Sequence, residues 1–285
     1  MSNSESLFSI LIASYNNGRF IQDAFNSIYE QSYTNWEVII VDDGSTDDSV
    51  ELIKKASANN ARIKLFQNDK NRGVGYTKYR CAELASGEIM GFLDPDDQLT
   101  SDALESITKL HIQNSNASMV YSNCYICETD LSIRNEKKVE APPRGKSFLD
   151  CFENPKVSTC HFTSFKSKSY SLTPKMDPNC KRAIDMDLYY KLEEVGDVIH
   201  IDKPLYKYRM HDMGLSLGSS SVKANAWHIY VVIKACERRG LEFENYIPKL
   251  LERDIVGRER LKKDYRVGKS VLTPFRYIKR ILNKR

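Results

Sequence analysis

Three carboxylates stand within four residues at Asp94-Pro95-Asp96-Asp97. Held that close, they repel one another unless a cation lies among them. Hard divalent ions such as Mg2+ or Mn2+ take oxygen ligands and keep positions open for phosphate. The plainer alternative is an acidic first turn at the start of a helix. Asp42-Asp43-Gly44-Ser45 holds a second acidic pair. It suits hydrogen bonds to a base N–H or to ribose hydroxyls, or simply a turn leading into a helix cap. In Ser14-Tyr15-Asn16 the tyrosine has the shape to stack on a base or to roof the core. Asp185 and Asp187 flank the start of a helical stretch, where an aspartate serves either as a cap or as a general base toward a hydroxyl. His211, in Tyr208-Arg209-Met210-His211, is suited to a metal, to a diphosphate or to an ordinary hydrogen bond. No G-x-G-x-x-G follows the first hydrophobic run, and no G-x-x-x-x-G-K-[ST] occurs in the chain. Phosphate charge would therefore have to be met by a metal and by Lys or Arg.

The acidic groups follow hydrophobic runs that read as strands. Leu7–Ala13 ends at Ser14-Tyr15-Asn16, Trp36–Val41 at Asp42-Asp43, and Ile89–Leu93 at Asp94. A short strand is predicted over Ile63–Phe66, and another begins at Met119–Ser122. Between them lie helical patterns with apolar residues at 3.6 spacing, as in Phe20, Ile21, Ala24, Phe25 and Ile28. Others cover the stretch around Val50–Ile53, Val74–Ala85, and from Ser101 or Asp102 to about Ile112. Strands alternating with helices imply βαβ crossovers and a mostly parallel sheet, whose ligands bind beyond the carboxyl ends of the strands. The polar clusters stand at those ends. Beyond residue 123 the pattern weakens. Residues 132–146 read as a loop, a helix is expected near Asp187–Glu194, and further helices over 222–237 and 242–265.

Composition limits the alternatives. The 285 residues are 41% hydrophobic and 28% charged, with a net charge of +4, which suits a folded soluble chain rather than a disordered one. No apolar run approaches the ~20 residues that span a bilayer, and the first residues lack the apolar core of a secretory leader. Seven scattered cysteines suggest reduced thiols rather than a disulfide framework. Cys124-x-x-Cys127 has no partner motif at zinc-site spacing. Residues 258–285 hold 11 Lys/Arg against 2 Asp/Glu, leaving the rest of the chain acidic at −5. Val271, Phe275, Ile278 and Leu282 form one helical stripe flanked by cations. Such a helix suits an anionic membrane surface, or the body of the protein itself. Without interleaved aromatics on a broad basic face, nucleic acid is not an expected partner.

In order, Ser9–Asn16, Val41–Asp47, Asn71–Val74, Ala85–Glu88 with Phe92–Asp97, Ile184–Leu188 and Tyr208–His211 resemble the motifs of family 2 glycosyltransferases over about residues 7–215. The resemblance implies an α/β GT-A fold, a Rossmann-like, mostly parallel sheet flanked by helices. Residues 1–122 would form the nucleotide-sugar half and 123–215 the acceptor half. A helical extension over 216–285 would end in the basic tail. It also implies an inverting, metal-dependent transfer from a nucleoside-diphosphate sugar, with UDP favoured, to a hydroxyl of a glycan or lipid-linked acceptor in cell-surface glycan synthesis. Ser14, Tyr15, Asp42, Asp43, Lys78, Asp94 and Asp96 match the donor side, with Tyr15 and Asp43 at the base. Asp96 and Asp97 match the Asp-x-Asp-type pair, and Asp97 with His211 is expected at the Mn2+ or Mg2+. Asp185 matches the catalytic base. The chain departs from the pattern at Lys78, where arginine is common, at Tyr79 in place of asparagine, and at Ile184 in place of glutamate. Lys78 keeps the charge but loses the bidentate fork. Two other readings are a polyprenyl-phosphate glycosyltransferase and a non-catalytic nucleotide-sugar or glycan-binding module. The expected location is cytoplasmic, peripheral on the inner face of the membrane through residues 266–285.

Overall fold

The computed structural model describes residues 6–57, 60–211 and 220–252. Among the described residues nine strands form one sheet. Its first part is built from β1 (Phe8–Ser14), β2 (Trp36–Asp42), β3 (Ile63–Gln67) and β4 (Ile89–Phe92), in the order β3-β2-β1-β4 and all parallel. β2 and β4 are buried at every residue and β1 at all but one. Continuous apolar runs of this kind belong to strands covered on both faces. The covers include α1 (Ile21–Tyr29), α2 (Ser49–Ala56) and α3 (Val74–Leu84). α1 turns Ile21, Ala24, Phe25 and Ile28 to the core, as their spacing requires.

The remaining strands are β5 (Gln98–Leu99), β6 (Ala117–Cys127), β7 (Ile133–Lys137), β8 (Thr163–Lys166) and β9 (Asp197–Arg209). β8 lies antiparallel between β4 and β6, and joins the two halves of the chain in one sheet. β9 runs parallel to β6 and pairs with β5 at its far end. Three helices, α4 (Ala103–Gln113), α5 (Ser167–Leu172) and α6 (Ile184–Glu193), complete this part, and α7 (Ser220–Arg239) packs on α6.

One expectation is corrected here. Residues 132–146, read as a loop, contain β7, which pairs antiparallel with β6. All five of its residues are exposed. A strand wet on both faces carries no alternating pattern, so periodicity has nothing to detect. Of the helix expected over 242–265, only the part up to 252 falls within the described residues, and Phe243–Asn245 is a 3-10 turn. The basic stripe over 266–285 lies outside the described residues.

Candidate active site

The parallel strands bring Ser14, Asp42 and the Asp94–Asp97 loop to one end of the sheet. β1 and β2 pair in register up to Ser14↔Asp42, and β4 lies beside β1 with Leu11 opposite Phe92. Tyr15, next past β1, is 44% exposed, so its ring is open to a flat ligand. Ser14 is buried, and its hydroxyl has no hydrogen-bond partner.

Asp42 and Asp43 work first on the protein's own backbone. Asp42 is fully buried and accepts from the Ser45 amide at 2.9 Å and the Ser45 hydroxyl at 2.5 Å. Asp43 is also buried and accepts from Asn68 Nδ2 at 2.6 Å, Arg72 N at 2.9 Å and Gly73 N at 2.8 Å. A bond to a base would be a fourth on one carboxylate, whose capacity is about four. Gly73 has φ +92° at the entrance to α3, a conformation that costs glycine little and other residues much. The Asp43 cradle thus sets where α3 begins and where Lys78, one turn further, stands.

Lys78 connects the two halves of the site. Its Nζ lies 2.8 Å from Asp185 Oδ1 and 3.7 Å from Asp94 Oδ1, and rests over the Phe92 ring at 4.9 Å. Burial alone would lower its pKa, but Asp185 and Asp94 outweigh that and raise it, so the ammonium stays charged. Asp185 sits in the first turn of α6, after Ala183 in the left-handed region at φ 55°. The Asp187 amide closes that turn on the Ala183 carbonyl at 3.0 Å. α3 approaches this entry closely at Gly75, where any Cβ would run into the Cys180 carbonyl oxygen. Asp185 is 44% exposed at its side chain, so its carboxylate is open to solvent. Asp187, by contrast, is buried on Lys191 at 2.5 Å, and Lys191 also binds the Lys175 carbonyl at 2.7 Å. Asp187 is therefore spent on packing.

The three carboxylates of the acidic loop differ in burial and in partners. Asp97 is 1% exposed. Its Oδ2 accepts from Tyr206 Oη and its Oδ1 from the Arg209 amide, both at 2.7 Å. Burial and the charges of Asp96 and Asp94 push its pKa well up. Each oxygen already accepts one bond from the protein, so the role expected of Asp97 at a metal would have to use its remaining lone pairs. Asp96 is less enclosed than Asp97, with its side chain 21% exposed and Oδ2 2.8 Å from His211 Nε2. The other ring nitrogen of His211, Nδ1, is buried without a partner. Asp94 has its pKa raised by enclosure and by the charges of Asp96 and Asp185, against the pull of Lys78.

Two further residues of the site escaped the sequence reading. Arg209 is the hub beneath the loop. It donates to the Asp96 carbonyl and the Thr129 carbonyl, each at 2.7 Å, and to Asp23 Oδ2 at 2.6 Å, with its guanidinium over Phe20. It stands inside the Tyr208–His211 string, but only a three-dimensional contact reveals its role. His161 stacks on Tyr208 with ring centroids 4.1 Å apart and planes 5° from parallel. Burial pulls its pKa down to about 4, Lys137 and Lys78 push the same way, and Asp185 and Asp96 oppose them. It is thus a neutral ring within reach of the site's charges.

Among the described residues no group of three or more His, Cys, Asp or Glu side chains could by itself hold a metal ion. A carboxylate and an imidazole side by side, Asp96 and His211, nevertheless suit Mn2+ or Mg2+, which often use one or two protein ligands and complete their shell with phosphate and water.

The glycosyl transferase family 2 model matches residues 9–171. The chain belongs to glycosyltransferase family 2. A family 2 chain of this kind is 30% identical to chondroitin synthase of Escherichia coli over 243 residues, 85% of this chain and 34% of that protein. It is 29% identical to hyaluronan synthase of Pasteurella multocida over 244 residues, 84% of this chain and 24% of that protein. The chain thus spans about a quarter to a third of the length of these relatives. Among solved structures, TarS 1-349 of S. aureus in complex with UDP-GlcNAc aligns with TM-score 0.65 at 17% identity, covering 86% of this chain and 72% of that one. The mannosyltransferase PcManGT of Pyrobaculum calidifontis, in complex with GDP-Man and Mn2+, aligns with TM-score 0.57 at 15% identity, covering 88% and 74%. These likenesses agree with the expected α/β fold of mostly parallel sheet flanked by helices, and the antiparallel pairings of β5, β7 and β8 make that sheet mixed. No helix among the described residues is long and apolar enough to cross a membrane.

Proposed function

We propose that this family 2 chain moves a sugar from a nucleoside-diphosphate sugar to an acceptor hydroxyl, with inversion, in the synthesis of a cell-surface polysaccharide. The observation that carries the reading is the single ammonium of Lys78 bridging Asp185 and Asp94, with Asp96 and His211 beside them. A candidate base and the donor-side carboxylates therefore share one cleft. UDP is the favoured nucleotide, since a structural neighbour is solved with UDP-GlcNAc.

Tyr15 would stack on the base, and Asp43 would hold the loop of residues 68–73 around it. Asp96 and His211 would hold a divalent cation; Asp97 would keep them in place through Tyr206 and Arg209. When bound, such an ion offsets the charge that builds on the departing diphosphate. Lys78 supplies a second positive charge on the same side. Asp185 takes the proton of the acceptor hydroxyl as its oxygen attacks the anomeric carbon from the face opposite the diphosphate. One displacement of this kind inverts the configuration. A base so placed is worth about 10²–10⁴-fold in rate. The basic stripe over 266–285 is kept as a proposed contact with an anionic membrane surface, tested by vesicle flotation with and without those residues.

A thermal-shift panel of UDP, UDP-GlcNAc, GDP and GDP-mannose, each with and without Mn2+, tests the reading. A ligand that binds only the folded form raises the melting temperature. The proposal predicts a rise for at least one nucleotide that grows when Mn2+ is present. No rise with any of them would overturn it.

A further inference from the structure

Two thiols beside β9 are not used by the transfer chemistry. Cys124 of β6 and Cys160, in the loop before β8, have sulfurs 3.1 Å apart, although 36 residues separate them in sequence. Both are buried and both are free thiols. Cys124 is opposite Lys137 on β7 and Tyr206 on β9 in the strand register. The residue after Cys160 is His161, whose ring stacks on Tyr206 and Tyr208. The S–H of Cys124 donates to Cys160 Sγ; with the charge of Lys137 this outweighs burial and lowers the pKa of Cys160. A lowered thiol beside a second thiol is the arrangement of an attacking and a resolving cysteine. An S–S bond is about 2.05 Å long, so the two sulfurs need approach by only about 1 Å to join.

We propose that Cys124 and Cys160 are a peroxide-responsive pair that closes into a reversible disulfide across the wall of the cleft. The Cys160 sulfur attacks one oxygen of hydrogen peroxide. The O–O bond breaks, and one water leaves with a sulfenic acid on Cys160. The Cys124 sulfur then attacks Cys160 Sγ. The S–O bond breaks, and hydroxide departs as a second water with the Cys124 proton. Two thiols and one peroxide give one disulfide and two waters. Closure staples the loop that carries His161 to β6, next to the strand that supplies Tyr206 and Tyr208. With Cys124 at 0% and Cys160 at 3% exposure, the oxidant must be as small as hydrogen peroxide, reaching Cys160 in local openings of its loop that a tripeptide disulfide cannot enter. The pair therefore responds to hydrogen peroxide and not to oxidised glutathione.

The full chain, reduced and desalted, is treated with hydrogen peroxide or with oxidised glutathione, alkylated in acid and mapped by mass spectrometry. Peroxide is expected to give a peptide pair joined through Cys124 and Cys160, lighter by two hydrogens and restored by dithiothreitol. Cys124→Ser is expected to lose the link and leave the sulfenic acid on Cys160, trapped by dimedone. Cys160→Ser is expected to show neither. Circular dichroism confirms that the variants are folded. Wild-type protein that keeps both thiols free, under conditions that oxidise the urea-unfolded chain, overturns the proposal. So does a link that joins other cysteines instead. The readout is chemical and needs no sugar donor, so its failure leaves the transferase reading untouched.

Discussion

Replacing Asp185 with asparagine keeps the shape of the side chain and removes its basicity. Asp185 Oδ1 sits 2.8 Å from Lys78 Nζ at the edge of the cleft, with the side chain 44% exposed. Loss of a general base should slow turnover by about 10²–10⁴-fold, equivalent to about 3–5 kcal/mol of barrier at roughly 1.36 kcal/mol per tenfold. The cost in stability is limited because Lys78 keeps Asp94 at 3.7 Å. The Lys78 side chain is itself 8% exposed, so the loss falls between that of an exposed pair, about 1 kcal/mol, and the lower end for a broken buried pair, about 3 kcal/mol. For a chain of this size that lowers the melting temperature by roughly 2–12 °C. The assay measures release of nucleoside diphosphate with the donor found in the ligand panel, in the presence of acceptor, beside calorimetry of UDP with Mn2+. Asp185→Asn should lose turnover while keeping its affinity for UDP. Turnover within about tenfold of wild type would refute the assignment of the base. Loss of UDP affinity in step with turnover would show that Asp185 serves the donor instead.

Tyr15→Ala should weaken UDP by about 1–3 kcal/mol, the usual worth of a base stacked on an aromatic ring, with thermal stability unchanged because the ring is exposed; titration calorimetry reads the first and a thermal melt the second. Arg209→Met removes a guanidinium whose side chain is 4% exposed and frees the Asp96 and Thr129 carbonyls. Since its partner Asp23 is half in solvent, the loss should fall near the lower end of the range for broken buried pairs, about 3 kcal/mol in urea unfolding. The acid range supplies another test. Asp94 and Asp97 have raised pKa values, so the folded protein holds protons that the unfolded chain has released. Stability without ligand should therefore fall as pH rises from the ordinary carboxylate value toward those raised values. Stabilisation by Mn2+ with UDP should grow over the same interval. Asp97→Asn, followed by melting temperature against pH, should flatten the ligand-free decline.

Much of this site could be read along the chain, for a simple reason. In β1, β2 and β4 the apolar runs Ile10–Ala13, Val38–Val41 and Ile89–Leu93 mark strands, and the first polar residue after each marks the end where a parallel sheet places its ligands. Ser14, Asp42 and Asp94 needed nothing more. Adjacent carboxylates are another matter. Asp96 and Asp97 differ in which way they face, and that is decided by Tyr206 and Arg209, more than a hundred residues later in the chain. No local pattern carries that information. Asp187 illustrates the same limit, because Lys191 converts an acidic group that looks chemical into a structural one, and the bonds of Asp43 to Asn68 and Gly73 are equally absent from its local string. His161 was invisible because a lone histidine in an irregular stretch gains meaning only from what stacks on it. β7 was missed because both its faces meet water.

The central claim is that the outward carboxylate Asp96, with His211, rather than the inward Asp97, carries the metal-dependent hold on the donor diphosphate. Calorimetric titration of UDP into wild type and Asp96→Asn, with and without Mn2+, tests it most directly. Wild type should bind more tightly with Mn2+, and Asp96→Asn should bind equally with and without it while remaining folded. An Asp96→Asn protein in which Mn2+ still strengthens UDP binding as it does in wild type would contradict the account.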